Sequence, residues 1–194
     1  MKPRFFSKQK HSASSVPFPS AGDFSSVPLC PNALRSLMQQ DSLSNTTPVI
    51  LCIGTDRLIG DSLGPITGSF LQQRGCPFPV YGTLESPVHA LNLHQQCSVI
   101  RTNHPGSPIL AIDASLGPEH CIGALSLHCG GLHPGLAVNK HLESTGDFSI
   151  TGITSEDGLH PYLSLQTARL STVIKMAEEI CTCILSCLPD KCPA

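Results

Sequence analysis

The chain has 194 residues, 40% of them hydrophobic and 13% charged, with a formal net charge of -2. That length suits a single domain. The near-neutral charge excludes an electrostatic footprint for nucleic acid, and no apolar run approaches the roughly 18 residues of a membrane-crossing helix. Low charge also favours self-association, so a homo-oligomer is an open expectation. Lys2, Arg4, Lys8 and Lys10 are followed by no apolar stretch, so no secretory signal peptide is expected. The 10 cysteines show no pair of closely spaced pairs, as a zinc site would, and are expected to be reduced thiols in a cytosolic compartment.

Residues 1–46 are rich in Ser and Pro and read as a largely disordered leader, with a short helix possible around Asn32–Gln40. The folded domain is expected over residues 47–190. Val49–Ile53 is a continuous apolar run that stops at Gly54, the pattern of a strand buried on both faces. A loop, Thr55–Gly60, leads to Asp61-Ser62, which can cap a helix running to about Gln73. Val80–Thr83 reads as a short strand, and Pro87 starts a helix extending to about Ile100. Pro108–Asp113 is a second buried strand, ending in an acid. Ile122–His128 reads as a further strand, antiparallel and at one edge. Gly130–Lys140 is a Gly/Pro loop, Phe148–Ile153 is the last strand, and Tyr162–Leu188 is one long amphipathic helix. Strands alternating with helices predict an α/β fold, a three-layer α/β/α sandwich with a mostly parallel sheet. Such folds place their sites beyond the carboxyl ends of the strands.

Two loops follow the two buried strands, and they bring Asp61 and Asp113 towards one cleft. Paired carboxylates can share a proton, so that one acts as acid and the other as base, or they can ligate a divalent metal that activates water. The plain structural alternative is that Asp61 only caps its helix. His133, fixed between Leu132 and Pro134 in a Gly-rich loop, is a further catalytic candidate. Thr55, Asp56 and Arg57 in the first loop, Glu85 after the second strand and Asp147 at the start of the last are candidate substrate-binding residues of the same cleft. His89 and His94 lie five apart on the expected second helix, off a common face. Ser115 lacks the G-x-S-x-G context of a nucleophile elbow. Gly54–Gly60 has neither the dinucleotide spacing nor a Walker lysine.

Six blocks together resemble the YyaC-type sporulation family. They are CIGTDRLIGDSLGP (Cys52–Pro65), YGTLESPVHALNL (Tyr81–Leu93), IDASLG (Ile112–Gly117), HPGLAVNK (His133–Lys140), GDFSITGI (Gly146–Ile153) and LQTARL (Leu165–Leu170). That family is similar to the germination protease, which degrades small acid-soluble spore proteins, and more distantly to the peptidases that mature hydrogenases. The resemblance implies an α/β/α fold, with Asp61 and Asp113 as the two key acids and His133 in a loop like that of the germination protease. In the hydrogenase peptidases two acids and a histidine bind the nickel of the substrate, and no histidine here clearly matches the third ligand. Ser115, Ala137 and Ser155 stand where the family usually has Cys, Gly and Asn. The implied function is a sporulation-associated endopeptidase acting on a protein or peptide substrate. The alternative is a non-catalytic binding or regulatory protein on the same fold.

Overall fold

The computed structural model describes residues 26–38, 46–132 and 145–187. In chain order the elements are β1 (Ser26–Pro28), α1 (Pro31–Met38), β2 (Val49–Cys52), α2 (Leu63–Gln73), β3 (Val80–Tyr81), α3 (Leu93–Asn103), β4 (Ile109–Gly117), β5 (Leu125–Cys129), β6 (Phe148–Glu156), α4 (Pro161–Thr167) and α5 (Leu170–Ser186), with short 3-10 turns at Ile59–Asp61 and Glu119–Cys121. They build one six-stranded sheet in the order β1-β5-β6-β4-β2-β3. The pairs from β6 to β3 are parallel, while β5 runs antiparallel to β6 and β1 antiparallel to β5.

The central strands carry apolar residues at successive positions because both their faces are covered. On one face Ile50, Cys52, Leu110, Ile112, Leu127 and Ile150 pack with residues of α1, α2 and α5. On the other, Val49, Leu51, Ile109 and Ala111 pack with Leu93 and Ile100 of α3. The expected α/β architecture, with helices on both faces of a mostly parallel sheet, is what the chain adopts.

Five local expectations are corrected. The leader is not unstructured throughout, since Ser26–Pro28 pairs with Ser126–His128, and Leu34 and Leu37 are fully buried against α5. β5 is antiparallel as expected, but β1 lies outside it, so it is not the edge. The second helix begins at Leu93, not Pro87. Val88 bridges Ile53 in strand fashion, and Asn92 ties off the intervening turn by accepting from His89 N–H at 2.8 Å and donating to the Pro87 carbonyl at 3.0 Å. The C-terminal helix is broken at Ala168 and Arg169, both extended, into α4 and α5. β4 continues through Asp113 to Gly117, because β6 continues beside it.

Helix α2 lies unusually close to the sheet. A Cβ on Gly64 would overlap the Ile53 carbonyl, and one on Gly68 would overlap the Gly82 carbonyl. Neither neighbour can yield, since both are backbone. Gly64→Ala is therefore expected to cost about 3 kcal/mol by overpacking, a fall in melting temperature of roughly 6–12 °C. Gly158→Ala, with nothing within 4 Å of the added carbon, is the matched control and should shift it little. A calorimetric scan of the two variants checks this.

Candidate active site

β2 stops at Cys52, and Ile53 makes the last bond to β4, its N–H donating to the Ile112 carbonyl at 2.7 Å. Gly54 then turns the chain away with φ +139, a conformation that side chains rarely tolerate. The departing loop returns at once. Thr55 N–H lies 3.1 Å from the Asp61 carbonyl and 2.9 Å from Asp61 Oδ2, so one backbone donor serves both acceptors. Gly60 is seated on the backbone of Leu165 in α4. Asp61 is thus held at the end of the Ile59–Asp61 turn, between the end of β2 and helix α4.

The carboxylate of Asp61 does not cap α2. It points back to Thr55, while Ser62 precedes the helix without a capping bond and its hydroxyl donates to the Ile59 carbonyl at 2.7 Å. The expected cap is therefore corrected in favour of a loop-fixing role. Asp113 sits within β4 at the first position where β2 is missing. Its Oδ1 accepts from Ala114 N–H at 2.9 Å, taking the place of a β2 acceptor.

The two acids sense each other. Burial pushes Asp61 up to about 6, opposed by the Thr55 hydrogen bond. Burial pushes Asp113 well above the usual carboxylate range, and the negative charge of Asp61 raises it further, against the Ala114 hydrogen bond. Asp61 therefore loses its proton first, and its charge then retains the proton on Asp113. Over the pH range between the two steps the pair carries one proton, the condition for paired acid–base work.

The other candidates divide. Thr55 contacts Asp61 directly. Asp56 and Arg57 are exposed on the same loop, and Glu85 is exposed at the same edge of the sheet, two strands from Asp113. Asp147 is a correction. Its Oδ2 accepts from Ile109 N–H at 2.8 Å at the start of β4. That places it four residues, about 13 Å of strand, from Asp113, at the opposite edge, where it lines a separate hollow with Arg101 and Ser107. His133 lies outside the described residues. His89 precedes α3 and His94 is exposed on it. The nine described cysteines are all free thiols.

Sequence reasoning missed His128, whose Nε2 is 2.8 Å from Thr151 Oγ1; Thr151 in turn pairs with Asp113 across the sheet. It also missed Thr154, and it named Ser155 only as a departure from the family; both are buried hydroxyls without a hydrogen-bond partner among the described residues, at the register shift of β6 opposite Leu116. No local sequence signal marks either, because both arise from strand register. Among the described residues no group of three His, Cys, Asp or Glu is placed to hold a metal ion. No described helix is long and apolar enough to cross a membrane.

Residues 27–183 match the family described as "Protein of unknown function (DUF1256)". The chain belongs to that family. It is 43% identical over 131 residues to "Uncharacterized protein YyaC" of Bacillus subtilis (strain 168), an alignment covering 67% of this chain and 64% of that protein. The chain thus spans less than two thirds of the length of that relative. Among solved structures it is similar to a [NiFe] hydrogenase maturation protease, HycI, from Thermococcus kodakarensis KOD1, with a TM-score of 0.47 and 17% identity, covering 79% of this chain and 99% of that one.

The raised acids set a pH dependence of stability. Unfolded Asp ionises near pH 4. Above that pH the folded chain holds protons that the unfolded chain has lost, so stability falls as pH rises from about 4 through 6 and beyond. Below about pH 4 both states are protonated and the penalty vanishes. Asp113→Asn is expected to melt above the parent at pH 7–8, with the gap closing near pH 4; a gap that does not change with pH would contradict the burial of Asp113. Thr154→Val, which removes a hydroxyl lacking a partner at similar shape, should stabilise by about 1 kcal/mol in urea titrations.

Proposed function

We propose that the chain is a sporulation-associated endopeptidase whose paired acids, Asp61 and Asp113, hydrolyse a peptide bond of a protein substrate in a cytosolic compartment. One observation carries this reading. Two buried carboxyls from separate elements interact, the Thr55 N–H fixing Asp61 and the Ala114 N–H fixing Asp113, and the charge of Asp61, which ionises near pH 6, holds the proton on Asp113. The resemblance of the surrounding blocks to the germination protease supplies the substrate class.

Asp61, ionised, takes a proton from water as the water oxygen attacks the peptide carbonyl carbon. Asp113, protonated, donates to the carbonyl oxygen as charge develops there. When the tetrahedral adduct collapses, Asp61 gives its proton to the leaving nitrogen, the C–N bond breaks and Asp113 recovers its own. The rim favours a polypeptide over a small polar molecule: Leu159 is 96%, Tyr162 62% and Leu163 53% exposed on and just before α4, the helix seated on the Asp61 turn. Exposed apolar side chains grouped at one site mark a surface for a protein partner. His133 enters the proposal from the resemblance alone, as a residue that assists or binds substrate.

Small acid-soluble spore proteins incubated with the purified chain, read by mass spectrometry, test the reading. Discrete cleavage is expected, reduced at least 100-fold in both Asp61→Asn and Asp113→Asn, as loss of a general acid or base does. Activity should rise with pH through about 6, as Asp61 ionises, and fall at higher pH as Asp113 does. A chelator should leave the rate unchanged; its loss would move the acids to the metal-ligand role. No cleavage at any pH, with or without divalent metal, would leave the binding protein as the reading.

A further inference from the structure

The bonds of β4 to its neighbours reveal which of its backbone groups face which side. The Pro108 and Ile112 carbonyls accept from Val49 and Ile53 on the β2 side, whereas the Ile109 and Gly117 carbonyls accept from Asp147 and Asp157 on the β6 side. Successive residues of a central strand aim their N–H and C=O groups alternately at the two neighbouring strands. Even-numbered residues of β4 therefore face β2. The register shift falls in β6, so the alternation in β4 persists to Gly117.

β2 leaves after Cys52, and beyond it the even-numbered residues are Ala114 and Leu116. Ala114 N–H is taken by the carboxylate of Asp113. The Ala114 carbonyl and both backbone groups of Leu116 are left without a partner among the described residues. Ala114, Ser115 and Leu116 are half-buried, on a strand held from the other side alone. An unpaired strand edge is a template for another chain. This one is only three backbone groups long and ends at Pro118, which has no N–H.

We propose that the substrate binds as an added strand along Ala114–Leu116, in the lane that β2 vacates, accepting from Leu116 N–H and donating to the Ala114 carbonyl. This rests on the peptidase reading above and deepens it. The Asp113 carboxylate is already bonded to the same edge at Ala114 N–H. A peptide carbonyl one residue further along the added strand lies within about 3.3 Å of strand rise of that carboxylate. Main-chain pairing gives affinity with little dependence on side chains. The ligand class is thus an extended, unstructured polypeptide segment, and a helical or folded segment is excluded.

The test uses the full chain carrying Asp61→Asn, which binds without cleaving, and a small acid-soluble spore protein as probe. Hydrogen exchange of the Leu116 amide, followed by NMR, should slow at least tenfold at saturation while exposed amides of α3 do not change. Leu116→Pro removes that N–H and leaves the β6-side groups of Ser115 and Gly117 in place. It should weaken binding about tenfold, the worth of one hydrogen bond at the upper end, whereas Leu116→Ala, which keeps the N–H, should bind within about twofold. If Leu116→Pro fails to fold, the exchange measurement stands alone. Bound probe without protection at Leu116, or no binding of the probe, overturns the proposal. Cleavage by the parent without protection would leave the peptidase and remove the strand. Protection at Leu116 without cleavage by the parent would keep the strand and remove the peptidase.

Discussion

The site depends on the chain turning away at Gly54. There the Asp61 carbonyl sits so close to the Gly54 Cα that no side chain fits, and φ of +139 lets the turn begin immediately after β2. Three consequences follow from this single packing contact. The loop closes on itself, and Thr55 N–H fixes Asp61. The Ile53 carbonyl, freed from strand pairing, lies against Gly64 and draws α2 onto the sheet. β4 loses its neighbour beyond Ile112, which leaves Asp113 at an open strand edge facing Asp61.

Stability and site are separated within the same sheet. The amino half of the parallel strands is closed by apolar packing on both faces, with Val49, Ile50, Leu51, Cys52, Ala111 and Ile112 fully buried. The carboxyl half holds what works against folding: two acids whose protons are retained by burial, and the hydroxyls of Thr154 and Ser155 without partners. Unfavourable groups concentrated at one place are the usual mark of a site whose chemistry was kept at the expense of stability.

How much of this was legible in the sequence follows from the range of each signal. β2 and β4 were legible because a strand buried on both faces is apolar at every position. The positions of Asp61 and Asp113 at the carboxyl ends of these strands were legible because each follows such a run. The extent of β4 was not, since residues 113–116 are half-buried and break the apolar run with Asp113 and Ser115, and only β6 beside them makes them a strand. β1 has three residues, one of them proline, and its pairing partner is about a hundred positions away. The break between α4 and α5 has neither glycine nor proline to announce it. Asp147 was misplaced although a signal existed: a residue that opens a parallel strand lies at the amino edge of the sheet, opposite a residue that follows one.

Whether Asp61 and Asp113 are there for structure can be argued from their hydrogen bonds. Each makes one backbone bond as an acceptor, Asp61 from Thr55 and Asp113 from Ala114, and the carbonyl oxygen of an asparagine would accept both equally well. Among the described residues no lysine, arginine or histidine offsets the charge on either acid. Ionising the pair therefore costs folding free energy that an amide would not, and the first proton is lost only near pH 6. A structural role explains the geometry of these residues but not their acidity. Acidity is what a group needs in order to give and take a proton, and the proposed peptidase would draw both halves of that exchange from this pair, beside an open strand edge.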